Sequence, residues 1–335
     1  GIGSVCQRFF AQGPRHAEAM ETFIPGASGK IRSVGNARLD ILREPFRDEF
    51  MAEAREHCDR FGDYVLFDTN LGAVNSRWGG TDAFLKVLVR IGWLDPDLPD
   101  DMAYFDRRVR TEQANAMVMR RTLERLSERF PERNFIVRPH PAEREEPWIK
   151  AYENRGNVHV TSEGTHISWL LGSALMLHTG CTTGLEAELL GVPTLGLLPM
   201  DHETLICSDL LSYQANECAV GADDAVTMAA SWLTGEIGGE KGRRADRLIG
   251  LSDHVSALDG PFAFQRIAAE IVDLLGSAIN GPIADKWKPL NASGFFTTRE
   301  EYEVQVPGLR GADYSWSKVQ IDQDGLEERF RALSG

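Results

Sequence analysis

Five short apolar runs in the middle of this chain alternate with stretches of helical spacing. The runs cover 63–68, 135–137, 158–161, 174–177 and 194–198, and helices are expected at 106–130, 147–154, 167–171 and 184–191. Parallel strands cannot be joined by a tight turn, so strands alternating with helices mark a parallel sheet with helical crossovers. The middles of most of these runs are apolar, without the alternation of a half-exposed strand, as strands covered on both faces require. The expected fold is α/β, a doubly wound, Rossmann-like parallel sheet over 62–275. Ligands of such sheets sit beyond the carboxyl ends of the strands, so chemistry is sought in the residues that follow each run.

The segment after the fourth run is the richest. His178-Thr-Gly-Cys-Thr-Thr-Gly-Leu-Glu-Ala187 passes from strand through a turn of small residues into a helix. The first N–H groups of a helix lack internal partners and its dipole favours anions. Thr179, Gly180, Thr182, Thr183 and Gly184 are therefore candidate ligand contacts, with hydroxyls and bare backbone for a phosphate, and Glu186 is a candidate acceptor for a ribose diol. The same pattern also describes an ordinary helix cap by Thr182 or Thr183. Cys181 reads as a small filler, His178 as orienting the turn, and Glu188 as facing solvent.

The second run ends in Arg138-Pro-His-Pro141, where two prolines stop the strand and stiffen its exit. Arg138 and His140 would then stand on the same rim as the 182–186 turn, suited to a phosphorylated ligand. The first run ends in Asp68-Thr-Asn-Leu-Gly-Ala-Val-Asn75, a glycine-containing loop in which Thr69, Asn70 and Gly72 are candidates. Asp68 reads as a turn or cap residue. Asp201 and His202 are further polar residues at a strand end.

The 335 residues carry a formal net charge of −14 without a basic stripe, which argues against nucleic-acid binding. The five cysteines are scattered, without metal spacing, as expected of reduced thiols in a cytoplasmic protein. No apolar run is long enough to span a bilayer and no signal peptide is recognised. Toward the amino end the pattern gives a strand within 4–13, a helix at 16–22, a strand from 31, a cap at Asn36 and a helix over 44–61. Residues 76–105 read as an irregular insertion with one helix at 81–91 and an acidic turn at 95–101. Helices near 224–234 and 262–276 follow, then an irregular, Pro-, Gly- and aromatic-rich extension from 281 with a last helix at 325–333.

Four segments, Val34-Gly-Asn-Ala-Arg-Leu-Asp-Ile-Leu-Arg43, Leu66 to Asn75, Val137 to Glu143 and His178 to Ala187, together resemble the bacterial surface carbohydrate biosynthesis proteins. More distantly they are similar to capsule-type Kdo transferases. The resemblance runs over about 5–275 in matching order. It implies a metal-independent GT-B glycosyltransferase without a cofactor, whose donor nucleotide lies mainly in the C-terminal lobe. It puts the His-Pro element at the donor phosphate, hence His140 with Arg138 beside it. His140 and Asn70 are the catalytic candidates. It further implies a nucleotide-sugar donor, CMP- or CDP-linked, and a glycan or lipid-linked acceptor that would bring the protein to the inner membrane periphery. A full N-terminal lobe would need far more than the 34 residues before Gly35, so that lobe is expected to be mostly absent. Residues 1–34 then pack as its remnant, 35–280 form the nucleotide-sugar domain, and 281–335 the extension. The alternatives are a CDP-activated polyol-phosphate transferase, a nucleotide-sugar epimerase and a non-catalytic nucleotide-binding lobe.

Overall fold

A computed structural model describes residues 6–206, 211–236 and 250–279. The chain divides into two compact units, 1–270 and 271–335; the sheet and the site described below belong to the first. The extension from 281, and the helix expected at 325–333, lie outside the described residues.

The centre is a six-stranded sheet of β3 (Val65–Asp68), β4 (Phe135–Arg138), β5 (Val158–Val160), β6 (Leu175–His178), β7 (Thr194–Leu198) and β8 (Glu217–Val220). All neighbours are parallel, in the order β5-β4-β3-β6-β7-β8. Counted along the chain from β3, this is 3-2-1-4-5-6, the doubly wound order whose direction reverses between its first and fourth strands. The reversal lies between β3 and β6. The register is strict there: Asp68 stands opposite both Arg138 and His178, so three strands end in line.

Alternate strand residues feed two cores. Val65, Phe67, Phe135, Val137, Leu175 and Leu177 meet Met119, Leu123 and Leu126 of α5 (Pro99–Arg129) and Val226 and Ala229 of α10 (Gly221–Leu233). On the other face Tyr64, Leu66, Ile136 and Met176 meet Phe61 of α3 (Met51–Phe61), Trp169 and Leu170 of α7 (His166–Gly172), and Ala187 of α8 (Thr183–Leu190). Each fully buried Leu or Phe contributes on the order of 1.5–3 kcal/mol, which explains why these runs show no polar alternation.

Several elements depart from the sequence expectation. The long helix starts at Pro99, because Pro at its first position with Asp100 and Asp101 in the first turn is a helix start, not an acidic loop. The rest of the 76–105 insertion is α4 (Thr81–Arg90), packed through Phe84 and Leu88 onto Leu94 and Phe105. The 44–61 stretch opens as a 3-10 turn, Phe46–Phe50, before α3. The sixth strand, β8, and the short α9 (Leu211–Gln214) before it were not foreseen. Glu188 is buried, not solvent-facing, because α8 is enclosed by the sheet and its neighbours from Gly184 to Glu188.

The amino-terminal residues form their own two-stranded parallel sheet, β1 (Phe9–Ala11) with β2 (Ile31–Ser33), bridged by α1 (Pro14–Phe23), rather than extending the large sheet. Gly35 follows at φ +98, where a Cβ would stand 2.6 Å from Ser256 O. Asn36 then caps the one-turn α2 (Ala37–Asp40), accepting from the Arg38 N–H at 3.0 Å. The buried Asp40 carboxylate accepts the Ala263 and Phe264 N–H groups, both at 2.9 Å, and so caps α11 (Ala263–Ile279).

Candidate functional site

Three loops leave the carboxyl ends of β3, β4 and β6 around the reversal point. The loop 69–75 is held from beneath by two buried carboxylates. Glu143 Oε1 accepts from the Thr69 hydroxyl at 2.5 Å, the Leu71 N–H at 2.8 Å and the His140 N–H at 3.3 Å. Its Oε2 accepts from the Asn75 amide and the Trp148 indole N–H, both at 3.2 Å. Glu112 of α5 accepts the Ala73 and Val74 N–H groups at 2.6 and 3.2 Å and pairs with Arg108. Burial raises the Glu112 pKa, against Arg108 and the Ala73 N–H. Gly72 closes the joint: a Cβ there would meet that of Ala142 at 3.4 Å. Thr69 is thus a buried structural hydroxyl. Asn70, between two anchored residues, is half-buried and its amide makes no hydrogen bond among the described residues.

His140 is fixed on the same joint. Its N–H donates to Thr69 Oγ1 at 3.1 Å, and its Nδ1 accepts the Ala142 N–H at 3.1 Å. Burial depresses its pKa and Arg108 adds to this, while Glu143 opposes. A neutral ring whose Nδ1 accepts carries its proton on Nε2, and Nε2 has no protein partner among the described residues. His140 therefore presents one N–H donor outward from a rigid mount.

Arg138 does not join it. In register with Asp68, it projects from the same face of the sheet as that carboxylate, where its guanidinium lies 5.5 Å from the Trp169 ring and donates to Glu163 O at 2.6 Å. Arg138 makes no hydrogen bond with His140 among the described residues and secures the loop 163–164. Burial lowers its pKa, against Asp68 and Glu53.

The 178–183 turn is built differently. His178 is wholly buried; its Nδ1 accepts the Gly180 N–H at 3.1 Å, and burial pushes its pKa down to about 3. Gly180 takes φ +80 to make that turn. Gly184 is required for packing, not for backbone approach to a ligand, since a Cβ would stand 2.5 Å from His178 Nε2. Burial raises the Cys181 thiol to about 11, which leaves it inert. Thr182 occupies the cap position of α8 but is exposed, with helical backbone and no side-chain cap bond. The Asp68 Oδ1, Thr179 Oγ1 and Thr183 Oγ1 atoms are buried without a hydrogen-bond partner. Burial raises the Asp68 pKa; Arg138, the Thr183 hydroxyl and His166 pull it down, and Glu186 adds to the rise. Asp68 and the Thr183 hydroxyl act on one another, which leaves Thr179 Oγ1 as the atom of the three with no neighbour to satisfy it, although buried polar atoms are almost always paired.

Glu186 is not free for a ribose. Its Oε1 holds Arg38 Nη2 at 2.9 Å and its Oε2 holds His166 Nε2 at 2.5 Å, and its side chain is 4% exposed. Arg38, His166, Glu112 and Glu143 were not singled out from sequence. Only Arg38 and Glu143 carried a signal, as members of the segments on which the resemblance rests. Asp201 is exposed on a turn whose His202 Nδ1 faces Pro199 O. Among the described residues no cluster of three or more His, Cys, Asp or Glu could hold a metal, and no helix is long and apolar enough to cross a membrane.

No family model and no curated protein matches the chain. Among solved structures it is similar to the wall teichoic acid polymerase TagF, at 12% identity and a TM-score of 0.48, over 83% of this chain and 59% of that one. It is also similar to UDP-GlcNAc 2-epimerase from Neisseria meningitidis bound to UDP-GlcNAc (13% identity, TM-score 0.47, 82% and 62% coverage). A putative UDP-N-acetylglucosamine 2-epimerase from Listeria monocytogenes matches at 14% identity and a TM-score of 0.45, over 82% and 61%. The chain spans about three fifths of the length of these proteins. At such identities and scores they carry no assignment of activity; the parallel sheet and its order stand on the strand pairing itself.

Proposed function

We propose that the crevice between β3 and β6 binds a nucleotide-sugar and that the chain is the donor-binding lobe of a GT-B-type glycosyltransferase of surface polysaccharide. The supporting observation is that loops leaving adjacent strand ends at the reversal point carry polar groups without protein partners: His140 Nε2–H, the Asn70 amide and the Thr179 hydroxyl, with the α8 start lacking a side-chain cap. The preferred donor is cytidine-linked, a CMP-activated acidic sugar before a CDP-linked one, and the acceptor a glycan or lipid-linked glycan at the cytoplasmic side of the membrane. Glycosyl transfer breaks the bond between sugar and donor phosphate, so charge grows on the phosphate oxygen. A preorganised donor aimed there lowers the barrier. His140 Nε2–H supplies it, the first turn of α8 adds its dipole, and Asn70 orients the sugar. The neutral His140 donor and the helix dipole serve the phosphate, and the reaction is proposed to run without a metal.

Calorimetry of CMP, CDP and UMP, each with and without chelator, tests this. Expected are a cytidine preference insensitive to chelator and a loss of about 1.5–3 kcal/mol in His140→Ala, the range for hydrogen bonds to charged groups. Equal CMP and UMP affinity removes the cytidine claim, chelator sensitivity removes the metal-free claim, and absence of binding by all three removes the reading.

A further inference from the structure

Arg38 is held beside the first turn of α8 in an unusual arrangement. Its side chain is 58% exposed, yet one guanidinium nitrogen is anchored 2.9 Å from a carboxylate that is 4% exposed. The same carboxylate holds His166, the first residue of α7, on its other oxygen. The backbone under Arg38 is equally fixed: Asn36 accepts its N–H, Leu39 packs with Ile167 and Leu185, and Asp40 is bonded to Ala263 and Phe264. Arg38 Nε and Nη1 make no hydrogen bond among the described residues. Helical side chains lean toward the helix start, so the Glu186 carboxylate and the cation it holds lie over the first turn of α8. That turn also carries the Asp68 carboxylate and the Thr183 hydroxyl, which act on one another, with His166 and Glu186 among the charged neighbours of Asp68.

A surface arginine held only for stability would gain little, since exposed pairs contribute about 0–1 kcal/mol, and burying Glu186 carries a desolvation penalty. The arrangement instead preorganises a guanidinium edge with two donors facing outward, the fork that matches an oxyanion. We propose that Arg38 binds a second anionic group of the ligand, beyond the phosphate at the α8 start, and that Glu186 is the positioning residue that holds Arg38 and His166 for it. The inference rests on the crevice being the nucleotide site. The oxyanion is either the β-phosphate of a nucleoside diphosphate or the carboxylate of an acidic sugar.

Calorimetry of the full chain with CMP, CDP and CMP-N-acetylneuraminate, at fixed ionic strength, separates these. Arg38→Ala is expected to leave CMP unchanged and to weaken CDP, or the acidic sugar nucleotide, by about tenfold, which names the source of the oxyanion. Arg38→Lys should recover part of the loss, since it keeps the charge without the fork. Arg38→Ala strands the Glu186 charge, so Arg38→Ala/Glu186→Gln is measured beside it and must show the same selectivity at wild-type Tm or above. Unchanged affinities, or an equal fall for all three ligands, overturn the inference while leaving the nucleotide site intact. If the wild type binds none of the three, the site itself falls, and the inference with it.

Discussion

The two loops that face each other across the β3–β6 reversal are built on opposite principles. In 69–75 the backbone N–H groups are claimed by Glu143 and Glu112, two buried carboxylates from elsewhere in the chain. In 179–183 the Thr179 hydroxyl is buried without a partner, the Thr183 hydroxyl acts on Asp68, and the helix start has no side-chain cap. The first loop is complete in itself and serves as a mount; the second is completed only by something bound. On the side that holds His140 and Asn70 the carboxylates grip backbone N–H groups, whereas on the turn side Glu186 holds two other side chains, Arg38 and His166.

The contrast can be broken most decisively at Glu143. Its five hydrogen bonds join three segments, so Glu143→Leu is expected to lower stability by about 4 kcal/mol or more by urea titration, the range of a buried network left unsatisfied. A loss under 1 kcal/mol would show the 69–75 loop to be no mount at all.

A second effect belongs to the turn side and appears with acid. His178 is neutral in the folded chain down to about pH 3, whereas the unfolded chain takes up its proton near pH 6.5. Below 6.5 the unfolded state binds the extra proton, so stability is lost as pH falls through 6.5 toward 3, by about 1.4 kcal/mol per unit from this group alone. Ring NMR should find His178 unprotonated at pH 5; a His178 ring titrating near 6 would contradict its burial.

Asp68 has the opposite sign. Its folded pKa is raised from 3.8, so the native state holds the proton more tightly. Its contribution is present in acid and lost as pH rises above 3.8. Asp68→Asn is expected to stabilise the ligand-free chain by about 1–3 kcal/mol at pH 7, the penalty of an unsatisfied buried group. The gain in Tm should shrink at pH 4. A lower Tm at pH 7 would mean that Asp68 is satisfied and the turn side not open.

The smallest expected change in stability is at Asn70, whose amide has no partner on its mount. Asn70→Ala should leave stability within about 0.5 kcal/mol, while weakening the sugar nucleotide relative to free CMP by about 1 kcal/mol. Equal loss with both ligands would move Asn70 away from the sugar.

The central sheet was legible because both faces of its strands are buried: Phe135 to Val137 and Leu175 to Leu177 admit no polar residue. β8 escaped because it is a four-residue edge strand whose Glu217 and Cys218 are only half-buried. The turn chemistry at 178–186 was visible as a pattern of small residues, but each residue's task was not. Gly184 is small for the His178 ring and Glu186 is acidic for Arg38 and His166, contacts with no local signal. Arg138 bonds the backbone of another loop for the same reason. Whether a strand-end arginine reaches a ligand depends on the face set by register and on which carbonyls lie there, here those of 163–164.

Within the five residues from Asn36 to Asp40, every second side chain makes a different joint: to its own helix, to Glu186, and to the start of α11. Substitution can be absorbed one joint at a time, but a change of length cannot. Inserting or deleting a single residue in this stretch would put all three out of phase at once. Homologous chains should therefore vary in loop length almost anywhere else before they vary here, and a one-residue insertion scan would map the stretch as a spacer of fixed gauge.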